Sequence, residues 1–195
     1  DEETHLTRLD QMLSRMKQTN LKIKVSRAHL LQTEVEFLGH VVNKDGIHTD
    51  PLKVKAIQKV PSPTSLRHLR SFLGFTGYYR KFIDQYADTA APLFSSLKQK
   101  KKKFIWTDKD EEAFQSLKTK LATYTSLSYP DWCKQFILDT DCSGIAMGAV
   151  LAQLDDENNE KPIAFFSKKL SDSQRKYSIT KQEMLALVCA IRHFH

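Results

Sequence analysis

Two carboxylates carry the clearest chemical signal in this sequence. Asp141 ends the mostly apolar run 136–141, and Glu183 stands one turn into a helix whose apolar face includes Met184, Leu187 and Val188. Carboxylate oxygens are hard ligands, and Mg²⁺ takes several of them, so two alone make a weak site. Thr180 and Glu183 also have capping-box spacing, Thr-x-x-Glu before an apolar run, which would employ Glu183 at the helix terminus instead. Asp139 shares a strand face with Asp141, because side chains alternate with period two, and it competes for the ligand role. The sequence has no phosphate-cradling glycine loop and no nucleophile elbow, and its seven histidines lack the spacing with cysteine that a metal site needs.

A second set of residues has binding chemistry. Arg70, Gly74 and Tyr78 lie four apart and so form one stripe of a helix. Gly74 and Gly77 each destabilise a helix interior by about 1 kcal/mol relative to Ala, so something must approach closely there, either another helix or an external ligand. Upstream, Phe37-Leu38-Gly39-His40 belongs to a strand in which glycine would let a partner's backbone come near. Phe37 and Val41 could instead fill a core, and alternation allows both uses. Arg67, Arg80, Lys81 and the run Lys98-Gln-Lys-Lys-Lys-Lys103 add cations that suit phosphates or simply a solvated surface.

The elements that must position these residues follow from periodicity and punctuation. Leu6, Leu9, Met12, Leu13 and Met16 recur at helical spacing, predicting an amphipathic helix over 3–19 that packs on something. Residues 21–25 and 35–42 read as strands, the second turning through 43–46 into Ile47 as a hairpin. Prolines 51, 61 and 63 bracket a short helix over 54–60. Ser65 is placed to cap a helix over 66–79, and another is expected over 82–97, with Pro92 as a kink or boundary. The lysine run repels itself and marks a domain boundary. Beyond it, Thr107 caps a helix over 108–121, strands are expected at 136–141, 146–153 and 162–167, and a last helix starts at Thr180.

Composition bounds the rest. A chain of 195 residues that is 41% hydrophobic has room for one to two domains with ordinary cores. No apolar run approaches the roughly 20 residues that span a bilayer, and a cytosolic or nuclear setting is expected. The cysteines, Cys133, Cys142 and Cys189, have neither zinc spacing nor disulfide density and read as free thiols in or near the core. A net charge of +7 suits a polyanionic partner without specifying one.

Two motifs add a family resemblance. Phe37-Leu38-Gly39-His40-Val41-Val42, followed by the 66–82 stretch that reads Leu-Arg-His-Leu-Arg-Ser-Phe-Leu-Gly-Phe-Thr-Gly-Tyr-Tyr-Arg-Lys-Phe, resembles the reverse transcriptase of gypsy-class LTR retrotransposons. The likeness continues through Thr140-Asp141-Cys142-Ser143, Gly148-Ala149-Val150-Leu151 and Thr180-x-x-Glu183-x-x-Ala186, which are similar to that family's ribonuclease H motifs. Ile145-Ala146 departs from the family pattern, leaving the turn after Gly144 open.

The resemblance implies an α/β (α+β) chain with three parts. Residues 1–50 would be the C-terminal end of the polymerase palm, 51–103 a helical thumb, and 104–195 a truncated ribonuclease H-like domain with a mixed sheet and helices. Asp141 and Glu183 would then be catalytic metal ligands in a two-Mg²⁺ site, one ion activating water and the other stabilising the leaving oxygen. Phe37, Leu38, Gly39 and His40 would position the primer's 3′ end, and Arg70, Gly74 and Tyr78 would lie against the primer–template duplex. The implied partners are an RNA·DNA hybrid, DNA duplex, and the remaining palm, fingers and ribonuclease H segments of a parent polyprotein, in a cytoplasmic virus-like particle or the nucleus. Polymerase aspartates are expected before Asp1 and further nuclease aspartates beyond His195, so the chain by itself is expected to be inactive. In retroviral relatives a connection domain of the same fold lacks the acidic cluster, and Asp141 with Glu183 argues for the nuclease. The other class of function open to these residues is a degenerate or domesticated module that only binds nucleic acid or protein.

Overall fold

Prolines and left-handed residues set where this chain turns. The computed structural model describes residues 2–98, 104–123 and 126–195. Helix α1 (Glu2–Gln18) leads, followed by strands β1 (Glu34–Phe37), β2 (His40–Asn43) and β3 (Gly46–Thr49). Helices α2 (Pro51–Gln58), α3 (Leu66–Tyr78), α4 (Tyr86–Thr89), α5 (Ala91–Leu97) and α6 (Asp108–Thr123) come next. Strands β4 (Ser126–Leu127), β5 (Ile137–Cys142), β6 (Ala146–Leu154) and β7 (Glu160–Lys169) and helix α7 (Ile179–Phe194) complete the chain. All pairings are antiparallel, in a sheet β1-β2-β3-β4 and a sheet β5-β6-β7.

The helical layer forms because apolar positions of four segments converge. Phe72, Leu69, Phe82, Leu93, Phe114, Leu117 and Leu121 are buried together, and the Phe72 and Phe114 rings lie 4.4 Å apart. Polar ties lock this layer. Ser65 accepts the His68 amide at the start of α3, as its position predicts. Thr107 and Asp110 satisfy each other's amides at the start of α6, and the buried Asp110 carboxylate also accepts from Ser96 of α5. Lys118 of α6 donates to the Val60 carbonyl, while Gln58 donates back to that of Lys118. The expected boundary at the lysine run falls largely on residues outside those described. Residues on both sides of it share this core, and β4 pairs with β3.

The second sheet is covered on both faces. Val150 and Phe165 pack into the helical layer, whereas Met147, Cys142 and Phe166 on the opposite face pack with Ala186, Leu185 and Cys189 of α7. Helix α7 starts at Ile179, with Ser178 as its N-cap.

Five expectations are corrected. No residue of α1 is buried: Leu6, Met12 and Leu13 stay exposed, and Leu9 and Met16 are only partly covered, so its apolar stripe joins no core among the described residues. Residues 21–24 form no strand and lead into a 3-10 turn at Val25–Arg27. The 35–42 strand is two strands, because Leu38 and Gly39 both take positive φ (47° and 72°) and reverse the chain in a two-residue turn. The 82–97 helix is broken by left-handed Gln85 (φ 50°), and Pro92 sits at the start of α5 as a boundary. Cys133 is exposed, whereas Cys142 and Cys189 pack beside the smaller core.

Candidate carboxylate site and nucleic-acid interface

Strand alternation decides which way Asp141 faces. Asp141 pairs with Gly148, which pairs with Ser167, and this row lies on the face covered by residues 80–89. Gly148 makes room, since a Cβ there would meet Gln85 Cγ at 3.4 Å. Gln85 Nε2 donates to Asp141 Oδ2 at 3.1 Å. Three neighbouring bonds bind the same segment to the sheet: the Ala87 amide to Ser167 Oγ, the Arg80 guanidinium to the Ser167 carbonyl, and Ser143 Oγ to Asp88. Ser143 also accepts the Ile145 and Ala146 amides, which resolves the turn after Gly144.

Glu183 comes from α7, which packs on the opposite face. No side-chain capping bond forms at the start of that helix, so the capping-box role for Glu183 is not adopted. Burial first, then the charges of Glu183 and Asp141, raises the Cys142 thiol pKa. The small pocket beside Asp141 is walled by Gln85, Asp88, Ser143 and Ser167 and does not include Glu183. Asp139 is exposed opposite Val150. Among the described residues no three His, Cys, Asp or Glu side chains converge as a metal site.

At the other site, the hairpin tip projects outward, with Phe37 62% and Leu38 71% exposed. The tip is fastened to α3. Tyr78 Oη donates to the Leu38 carbonyl, Tyr79 Oη donates to that of Gly39 at 2.6 Å, and His40 stacks parallel on Tyr78 at 5.3 Å. Burial, then the charges of Lys81 and Lys53, lowers the His40 pKa. Burial, with Asp50 and Tyr78, pushes the Tyr79 phenol up to about 12, so its hydroxyl remains a donor. Arg70, Gly74 and Tyr78 are all exposed on one stripe of α3. The two glycines differ: a Cβ at Gly77 would touch Tyr86 Oη at 3.4 Å, whereas one at Gly74 would meet nothing within 4 Å. No neighbouring element among the described residues accounts for Gly74.

Sequence reasoning missed Tyr79, Gln85, Asp88 and Ser167. The Tyr78-Tyr79 doublet was a legible signal, because one of two adjacent helical aromatics must leave the core-facing stripe. Gln85 gave none, since its role depends on a left-handed backbone and a strand far away in sequence.

A sheet whose first strand carries Asp141 and whose following helix carries Glu183 has the arrangement of a ribonuclease H-like domain. Residues 106–195 match the family described as the RNase H-like domain found in reverse transcriptase. Residues 106–195 are thus similar to that RNase H-like domain, and the homologues of the chain are Pol polyproteins of LTR retrotransposons. It is 44% identical to the retrovirus-related Pol polyprotein from transposon 297 of Drosophila melanogaster, over 97% of this chain and 18% of the relative. Identity is 35% to the gypsy Pol polyprotein of the same organism (98% and 19%). It is 31% to the Tf2-3 polyprotein of Schizosaccharomyces pombe (99% and 14%). The chain thus spans about a fifth or less of these relatives. In fold it is similar to a foamy viral protease-reverse transcriptase solved with double-stranded DNA (TM-score 0.79, 20% identity, 99% of this chain and 34% of that one). A second structure of that enzyme, with RNA/DNA hybrid, gives a TM-score of 0.76 at 20% identity over 98% and 26%.

Proposed function

We propose that this chain is the duplex-handling part of a reverse transcriptase/ribonuclease H. Residues 1–50 form the palm edge with its primer-facing hairpin, 51–103 the thumb, and 104–195 the nuclease portion. The observation that carries this reading is the open face at Gly74. A glycine in mid-helix with empty space above it, flanked by exposed Arg70 and Tyr78, suits the close approach of a nucleic-acid backbone. The partners are DNA duplex and RNA·DNA hybrid, together with further polymerase and nuclease segments of a polyprotein.

Asp141 and Glu183 are the proposed Mg²⁺ ligands. Their hard oxygens suit the ion, and among the described residues Gln85 engages Asp141 at Oδ2 alone. When bound, Mg²⁺ would supply water activation and stabilisation of the leaving oxygen. This chain's own contribution is narrower: Asp141, held by Gln85 from one side of the sheet, and Glu183, delivered by α7 from the other. Two carboxylates alone make a weak Mg²⁺ site, so the role proposed for these 195 residues is duplex binding without hybrid cleavage.

The test has two arms. The purified chain should bind a DNA duplex with little sequence preference, log affinity falling about linearly with log salt at about −0.9 per phosphate contacted. Arg70→Glu should weaken that binding, and unchanged affinity would remove α3 from the interface. In a protein that also carries the relatives' neighbouring segments, Asp141→Asn and Glu183→Gln should each abolish hybrid cleavage while primer extension continues. Full nuclease activity of Asp141→Asn, or greater damage from Asp139→Asn, would overturn the ligand assignment.

A further inference from the structure

The two-residue turn at the hairpin tip is poorly supported by its own strands. β1 is an edge strand paired only with β2, and three of its four residues are exposed. Leu38 sits at φ +47°, a region unfavourable for a side chain with a Cβ, so contacts from elsewhere must hold it. Those contacts come from consecutive residues at the end of α3. Tyr78 and Tyr79 donate to the consecutive carbonyls of Leu38 and Gly39, and the His40 ring lies flat on Tyr78 and edge-on to Tyr79. Gly39 is small for this purpose too. A Cβ at Gly39 would stand 2.8 Å from Lys53 Nζ, 3.5 Å from Tyr79 Oη and 3.6 Å from the Tyr78 ring.

We propose that Tyr78 and Tyr79 are positioning residues that latch the 37–40 hairpin to α3. The hairpin tip and the Arg70–Gly74–Tyr78 stripe then move as one unit. The functional half of this inference rests on the reading above, that the hairpin meets the primer end and the stripe meets the duplex. A shift of α3 along the duplex would carry the hairpin with it, so primer position and duplex grip are set together. Tyr78 serves both parts, its hydroxyl holding Leu38 while its half-exposed ring remains at the surface.

Amide hydrogen exchange on the 195-residue chain tests the latch. Tyr78→Phe and Tyr79→Phe keep the rings and remove only the hydroxyls. Each should speed exchange in β1 and β2 roughly fivefold, the double variant more than either, with α6 unchanged. Unchanged hairpin exchange would overturn the latch, and so would an equal rise throughout α6, which would mean general loosening. Adding a primer–template DNA duplex with a recessed 3′ end tests the other half. Protection of the wild-type hairpin amides, weakened in the double variant, supports joint positioning. Without protection in the wild type the primer-facing reading falls, while the latch stands or falls on the exchange rates alone.

Discussion

Replacing Gly74 with Ala separates two explanations of that glycine by giving them opposite signs. A methyl group at Gly74 would meet nothing within 4 Å outside its own helical turn, so the substitution brings no clash with any other element among the described residues. What remains is the backbone term: Ala is favoured over Gly in a helix interior by about 1 kcal/mol, and Gly74 lies well inside α3. For a domain of this size that corresponds to a rise of about 2–4 °C in Tm, measurable by thermal circular dichroism. Duplex affinity, measured by fluorescence anisotropy across several salt concentrations, should fall, because the same methyl would stand between the helix and the approaching backbone. Greater stability with weaker binding is the expected pair. A lower Tm would mean that Gly74 faces a packed neighbour after all, and a higher Tm with unchanged affinity would show that nothing approaches that face from outside.

Two further substitutions or treatments check other parts of the structure. Gly46→Ala should destabilise the fold by more than about 2 kcal/mol, read by urea unfolding, because its Cβ would lie 2.1 Å from the Leu127 carbonyl at φ +148°; a neutral result would refute the β3–β4 pairing. Cys142 should alkylate far more slowly than exposed Cys133, its rate rising with pH above the ordinary thiol range, and Glu183→Gln should recover part of the difference. Indifference of the Cys142 rate to Glu183→Gln would place that carboxylate away from the end of β5.

What was legible in the sequence was whatever depends on local periodicity and capping. The Ser65 and Thr107 caps, the three strands of the second sheet and the helix carrying Glu183 all fall close to where spacing puts them. Misreadings cluster where one residue overrides a pattern. Leu38 looks like a strand residue and Gln85 a helix residue, yet both take the left-handed conformation, and nothing in either side chain announces it. The stripe of α1 was legible as an amphipathic face but not as an unpartnered one, because periodicity says that a face is apolar and not what covers it. Asp141 and Glu183 could be singled out by type and motif. Their arrival from opposite faces of one sheet required the register Asp141–Gly148–Ser167 and the packing of α7 on Cys142 and Met147.

The two candidate sites are connected through one short segment. α3 ends at Tyr78, Tyr79 grips the hairpin, and Arg80 reaches the Ser167 carbonyl on the second sheet. Seven residues beyond Tyr78, Gln85 holds the Asp141 carboxylate. Residues 78–88 thus touch the hairpin at one end and the carboxylate at the other, and the aromatic core of Tyr79, Phe82 and Tyr86 lies between them. A close-packed interior transmits displacement instead of absorbing it. Moving α3 relative to the second sheet would therefore strain both sets of bonds together, and the left-handed Gln85 is where the chain changes direction between them. The geometry makes residues 78–88 a spacer between the hairpin tip and Asp141.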